Sequence, residues 1–288
     1  MQTQADKLKK MLNSQKKTTN TQIIAITSGK GGVGKSTISA NLANLLAIKG
    51  YHVGVFDADI GLANLDVIFN VRATNNLLNV LKGECGIQDI AINIKDNLIL
   101  IPGDSGDQIF KFNDQVILNR LLQESAFLDN LDYLIIDTAA GIGENIQTFL
   151  KEADEVIVIT IPDPSAITDA YATIKVTAKL NPNINMIVNM TKNQKEAQFI
   201  FDKIKKVADE NIKNKFKLEY LGHLCSDKIV TKSTKHRLLF TDQYPKSTSF
   251  LELNEILIQI IQKLEQCVLD KQKRKSFTEF VRRLIDSF

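Results

Sequence analysis

The chain has 288 residues, 44% of them hydrophobic and 24% charged, with a net charge of +3. That length easily buries a core, in one large domain or two small ones, and the charge is too mild over the whole chain to argue for nucleic acid. No run approaches a membrane span, the first residues lack a signal peptide's apolar core, and Cys85, Cys225 and Cys267 form no C-x-x-C, which suits a reducing cytoplasm and excludes a paired-cysteine zinc or iron–sulfur centre.

Residues 1–21 are polar, but Ala5, Leu8 and Leu12 share one helical face. A helix this short is marginal alone, so it is expected to order only against a partner or its own domain. The organising stretch follows. Ile23–Ile26 are β-prone, Gly29-Lys30-Gly31-Gly32-Val33-Gly34-Lys35-Ser36-Thr37 is glycine-rich, and Leu42, Leu45, Leu46 and Ile48 line a helix that Gly50 ends. Gly29, Gly34, Lys35 and Ser36 fit the phosphate-loop pattern G-x-x-x-x-G-K-[ST]. Glycines let successive N–H groups turn around an anion, and the helix N-terminus adds its dipole. Lys35 is expected to reach the β- and γ-phosphates and Ser36 to ligate Mg²⁺. Lys30, at the start of the loop, is either a solvated side chain or one that leans outward toward a nucleotide held by a second subunit.

Further apolar β-rich runs occur at 52–56, 98–101, 133–136, 156–161, 184–188 and 218–224. Helical patterns at 116–128, 167–180 and 199–212 lie between them. Such alternation predicts an α/β fold, a mostly parallel sheet with helices on both faces. Ligands in such sheets sit at the carboxyl ends of strands. There the chain carries Asp57-Ala58-Asp59, then Asp137 through Gly143, then Asn189. Leu134-Ile135-Ile136-Asp137 has the form of a Walker B strand, placing Asp137 near Mg²⁺, largely through water. Gly141 and Gly143 allow a switch segment. Asp57 and Asp59 share one side of an extended strand, so one carboxylate can serve the metal while the other orients water. Asn189-Met190-Thr191-Lys192 lacks the aspartate of a guanine-reading Asn-Lys-x-Asp. His223 and His236 have no nucleophile motif nearby and are expected to be structural or surface residues.

From Lys271 the composition becomes basic, and Phe277, Phe280, Val281, Leu284, Ile285 and Phe288 follow at helical spacing. This amphipathic helix can lie in an anionic membrane surface, dock on the core or form a basic DNA-contacting patch.

The loop from Lys30 to Thr37 resembles the deviant Walker A loop of MinD/ParA ATPases, P-loop NTPases of the SIMIBI class. The resemblance extends through 57–66, Asp137–Gly143, Asn189 and the tail. It implies an Mg²⁺-dependent ATPase that forms an ATP-dependent homodimer, with Lys30 acting across the dimer. By the same resemblance Asp59 positions the hydrolytic water and Asp57 sits with Ser36 and Asp137 at the metal. The resemblance further implies that Asn189 and the 222–227 loop, with Cys225 and Asp227, hold adenine. Within that class Gly61-Leu62-Ala63-Asn64-Leu65-Asp66 and Gln4-Ala5-x-x-Leu8 resemble regulators of flagellar number and placement. That branch implies a GTPase partner of the FlhF type bound through residues 3–12. It also implies reversible membrane attachment through residues 271–288, at the inner face of the cytoplasmic membrane near the cell pole. The expected organisation is a partner-binding segment over 1–21, an ATPase domain over 22–268 and a membrane-targeting helix over 269–288.

Overall fold

The computed structural model describes residues 21–59, 64–103, 121–270 and 276–286. The expected partner-binding helix, Ile60–Ala63 of the switch, residues 116–120 of the expected 116–128 helix and the basic run 271–275 lie outside them.

All seven expected strands form, and an eighth joins them. They are β1 (Gln22–Ser28), β2 (Val53–Ala58), β3 (Ile92–Lys95), β4 (Leu98–Ile101), β5 (Tyr133–Ala140), β6 (Glu155–Thr160), β7 (Asn183–Thr191) and β8 (Lys217–Cys225). Their spatial order is β3-β4-β2-β5-β1-β6-β7-β8, parallel throughout except between β3 and β4. The added β3 is a four-residue edge strand joined to β4 by the two-residue turn Asp96-Asn97. Its isoleucines are only half-buried, so it lacks the continuous apolar run that marks the central strands.

Successive residues of β1 feed opposite cores. Ile23 and Ala25 join one apolar cluster, and Ile24 and Ile26 join the other. The second cluster is closed by α1 (Lys35–Ile48), which follows the glycine loop. Three short helices, α2 (Leu65–Ile68), α3 (Leu77–Leu81) and α4 (Ile87–Ile90), are found among the described residues between β2 and β3, and α5 (Glu144–Glu152) follows β5. The first cluster is covered by α5, α6 (Pro164–Thr177) and α7 (Gln194–Asn211). Caps, not the apolar stripes, set the starts of the last two. Asp163 accepts the Ala166 N–H before Pro164, and Asn193 accepts the Glu196 N–H, so both helices begin ahead of the stripes that announce them.

Beyond β8 come α8 (Lys228–Lys235), α9 (Phe240–Gln243) and the long α10 (Thr248–Asp270), which packs along β8 and α1 through Leu253, Leu257, Ile260 and Leu264. The tail forms α11 (Phe277–Asp286). Its apolar stripe is docked on the core. Phe277, Phe280 and Val281 are buried in the first cluster, against α5 and the turn at 126–128. The Thr278 N–H donates to Asp129 Oδ1 at 2.8 Å, and Arg283 pairs with Glu279 at 3.0 Å and Glu152 at 3.8 Å. Of the readings open for this helix, the described residues adopt core docking; meeting a membrane through this stripe requires undocking. No helix among the described residues is long and apolar enough to cross a membrane.

Candidate nucleotide site

Parallel pairing brings the expected residues together. Asp57 of β2 stands opposite Asp137 of β5, which in turn stands opposite Ile26 at the end of β1. The loop from Gly29 to Gly34 leaves β1 beside them and delivers Lys35 as the first residue of α1. Gly34 is indispensable there: its φ is +90°, and a Cβ would overlap the Asn189 amide. Asn189 is close because its Nδ2 donates to the Val33 carbonyl at 2.8 Å. A Cβ at Gly29 would overlap the Asp169 backbone of α6. The loop is thus wedged between β7 and α6.

The two loop lysines point to different surroundings. Lys35 is buried and lies 3.6 Å from Asp137 Oδ1 and 4.0 Å from Asp59 Oδ2. Lys30 is 41% exposed and turns away from that cluster, donating to Asp163 Oδ1 at 3.0 Å and Ser165 Oγ at 2.5 Å. Asp163 is held below the usual carboxylate range by the Ser165 hydroxyl, the Ala166 N–H and Lys30. These two partners were not among the expected residues. Their signal was the helix-start sequence Asp163-Pro164-Ser165, which reads as a cap without implying that it faces the loop.

Two carboxylates, Asp59 and Asp137, approach the buried lysine, and Asp57 lies beside Asp137. Burial and neighbouring Asp137 push Asp57 up to about 7, although its oxygens accept the backbone N–H groups of Leu65, Asp59 and Asn64. Asp137 is also raised by burial, with Lys35, Ser36 and Ser39 opposing. Ser39, one helical turn after Lys35, donates to Asp137 Oδ1 at 2.9 Å. Asp137 Oδ2 is buried with no hydrogen-bond partner among the described residues. A lone buried carboxylate oxygen beside a second aspartate and a serine suits a hydrated divalent cation, so Ser36, Asp57 and Asp137 fit Mg²⁺. The switch begins where the Gly141 N–H, at φ +105°, donates to the Ser28 carbonyl at 2.8 Å; Gly143 caps α5.

The residues expected to hold adenine are already engaged within the protein. Asn189 is engaged with Val33, and its Oδ1 accepts the Met190 N–H at 2.9 Å. Asp227 accepts the Ile229 N–H as the cap of α8 and the Ser249 hydroxyl at 2.8 Å. Cys225 donates its backbone N–H to Glu252 at 2.8 Å. His223 is half-buried beside the same glutamate, and His236 is exposed.

The ParA family model, described as NUBPL iron-transfer P-loop NTPase, matches residues 19–264. The chain is 46% identical over 261 residues to the flagellum site-determining protein YlxH of Helicobacter pylori, covering 90% of this chain and 88% of that one. It is 34% identical over 267 residues to the antiactivator FleN of Pseudomonas aeruginosa, covering 92% and 93%. Among solved structures, the MinD cell division protein of Aquifex aeolicus has a TM-score of 0.64 at 27% identity, covering 84% of this chain and 97% of that one.

Proposed function

Because the chain belongs to the ParA/MinD family of P-loop NTPases, we propose that it is an ATP-driven switch that dimerises at the membrane and governs the number and placement of polar flagella. The names of the two flagellar relatives support the cellular role. The observation that carries the mechanism is the divergence of the two lysines, Lys35 turned into the carboxylate cluster and Lys30 turned out from the loop.

The loop N–H groups from Gly31 to Thr37 and the Lys35 ammonium hold the β- and γ-phosphates. Ser36, Asp57 and Asp137 would hold Mg²⁺, which would neutralise phosphate charge. Asp59 accepts a hydrogen bond from the attacking water and aims it at phosphorus. Water forms the new P–O bond as the bond to the ADP oxygen breaks, releasing ADP and phosphate. Lys30 leaves Asp163 and Ser165 and reaches the nucleotide of the second subunit, completing the charge stabilisation. A cation supplied in this way elsewhere contributes roughly 10³–10⁵ in rate, so the monomer is expected to be nearly inactive and its turnover slow and partner-stimulated. Asn189, Cys225 and Asp227 border the adenine.

The segment Gly141–Gly143 leads directly into α5, on which α11 is docked. Rearrangement at the switch can therefore loosen that dock and free Phe277, Phe280 and Val281 for lipid, with the basic residues of 271–288 facing anionic headgroups. Residues 3–12 are proposed to engage an FlhF-type GTPase.

Flagellar counts and septum position in cells lacking the chain test the cellular reading. Altered flagellar number or placement with normal septa supports it; misplaced septa with normal flagella would favour a division-site regulator. Liposome and DNA cosedimentation, each with and without ATP, test the membrane reading against a DNA-partition role. Capture of the GTPase by residues 1–20 tests the partner.

A further inference from the structure

The end of β8 carries a cluster that takes no part in the chemical step of ATP hydrolysis, although Cys225 also borders the proposed adenine position. His223 and Cys225 are two residues apart and so lie on one side of the strand. Glu252, near the start of α10, meets them from the adjoining helix. Its Oε2 accepts the Cys225 N–H at 2.8 Å, while Oε1 lies 3.6 Å from His223 Nε2. One ligand atom from each side chain, the imidazole nitrogen, the thiol sulfur and a carboxylate oxygen, lies within 4.8 Å of the others, and all three residues are half-buried. The register of β8 against β7 shifts between Tyr220 and Gly222 and again between His223 and Cys225.

We propose that His223, Cys225 and Glu252 form a binding site for a borderline-soft divalent transition metal, with Zn²⁺ as the best match. The ligand types select the ion. A thiolate and an imidazole disfavour Mg²⁺ and Ca²⁺, which take oxygen, and favour Zn²⁺, which accepts sulfur, nitrogen and oxygen in one tetrahedron. Ligand atoms of such a tetrahedron stand roughly 3.5 Å apart, given metal–ligand distances near 2.0–2.3 Å, so the cluster needs only small side-chain adjustments to close. Three protein ligands leave the fourth position for water or another donor. Charge also balances, because thiolate and carboxylate offset the cation in a half-buried setting. On binding, the thiol proton passes to solvent and no bond elsewhere breaks.

The site differs in kind and place from the Mg²⁺ site, which lies among Ser36, Asp57 and Asp137. A bound metal would pin the last residue of β8 to α10, and with it the turn that leads into α8.

Co²⁺ is the probe, added to the full-length, nucleotide-free protein with Cys85 and Cys267 changed to serine, so that Cys225 is the remaining thiol. The expected result is an equimolar complex with a thiolate-to-cobalt charge-transfer band and tetrahedral visible bands, both erased by stoichiometric Zn²⁺. His223→Ala and Glu252→Gln should each weaken Co²⁺ binding by about tenfold or more, because each removes a direct ligand. Glu252→Gln retains an oxygen to accept the Cys225 N–H, which separates lost ligation from lost folding, and melting in chelator checks both variants. Absence of the charge-transfer band overturns the proposal. So does a band unaffected by both substitutions, which would mean adventitious binding at a lone thiol.

Discussion

Lys30 and its partners set the first test at the level of single residues. Lys30→Ala is expected to keep nucleotide binding, because Lys35 and the loop N–H groups remain, yet to lose dimerisation and turnover. An unchanged ATPase rate would contradict the cross-subunit role. Asp163→Asn asks the reverse question. Asparagine caps a helix as well as aspartate, so α6 should keep its start while Lys30 loses its ionic partner. An exposed, solvent-screened pair contributes little, so ATP-driven dimerisation should shift to lower protein concentration by only a few-fold, read by light scattering. The tether is insensitive to neutral pH. A carboxylate held low in the fold contributes stability above its unfolded pKa and loses it as pH falls through the lower folded value. Carbon NMR of the Asp163 carboxyl should therefore show no titration above about pH 4. Lys35, Asp57, Asp59 and Asp137 were legible because a strand end and a glycine loop fix where they go. Asp163 and Ser165 were not, since facing the loop depends on how α6 packs on β6.

Helices and strands carry the second test, centred on α11. Its stripe was visible at helical spacing, but periodicity says only that one face is apolar, not whether protein or lipid covers it. Burial of Phe277, Phe280 and Val281 answers that for the described state. Asp129→Ala removes the acceptor for the Thr278 N–H while leaving every apolar residue in place. With about 1 kcal/mol lost, undocking should rise about fivefold, and liposome binding without ATP should rise with it. Unchanged binding would detach membrane contact from docking. Phe280→Glu should abolish ATP-dependent liposome binding by putting a charge in the stripe; retained binding would assign the stripe to core packing alone. The same limit explains the elements that were missed. β3 is too short and too exposed to resemble a central strand. In α5, Ile146, Phe149 and Leu150 supply an apolar face too brief to separate from the preceding strand and glycines. The length of α10 is decided by the β8 edge and α1 it packs against, neither visible along the chain.

Across the whole molecule, the decisive quantity is mass in solution. Asp59→Ala, which slows hydrolysis by removing the residue that orients water, should elute as a dimer with ATP and a monomer with ADP. A monomer in saturating ATP would remove the basis for the cross-subunit lysine and for nucleotide-controlled membrane avidity together. The sheet order has a separate consequence for biosynthesis. Gln22 pairs with Tyr133, Ile24 with Glu155, and the loop after them leans on Asn189. A chain emerging from the ribosome thus exposes its anion-cradling segment long before the flanking walls exist. Such distant pairings form late, so nucleotide can aid folding only after residue 191 has cleared the exit tunnel, and chains stalled earlier would be left without that stabilisation.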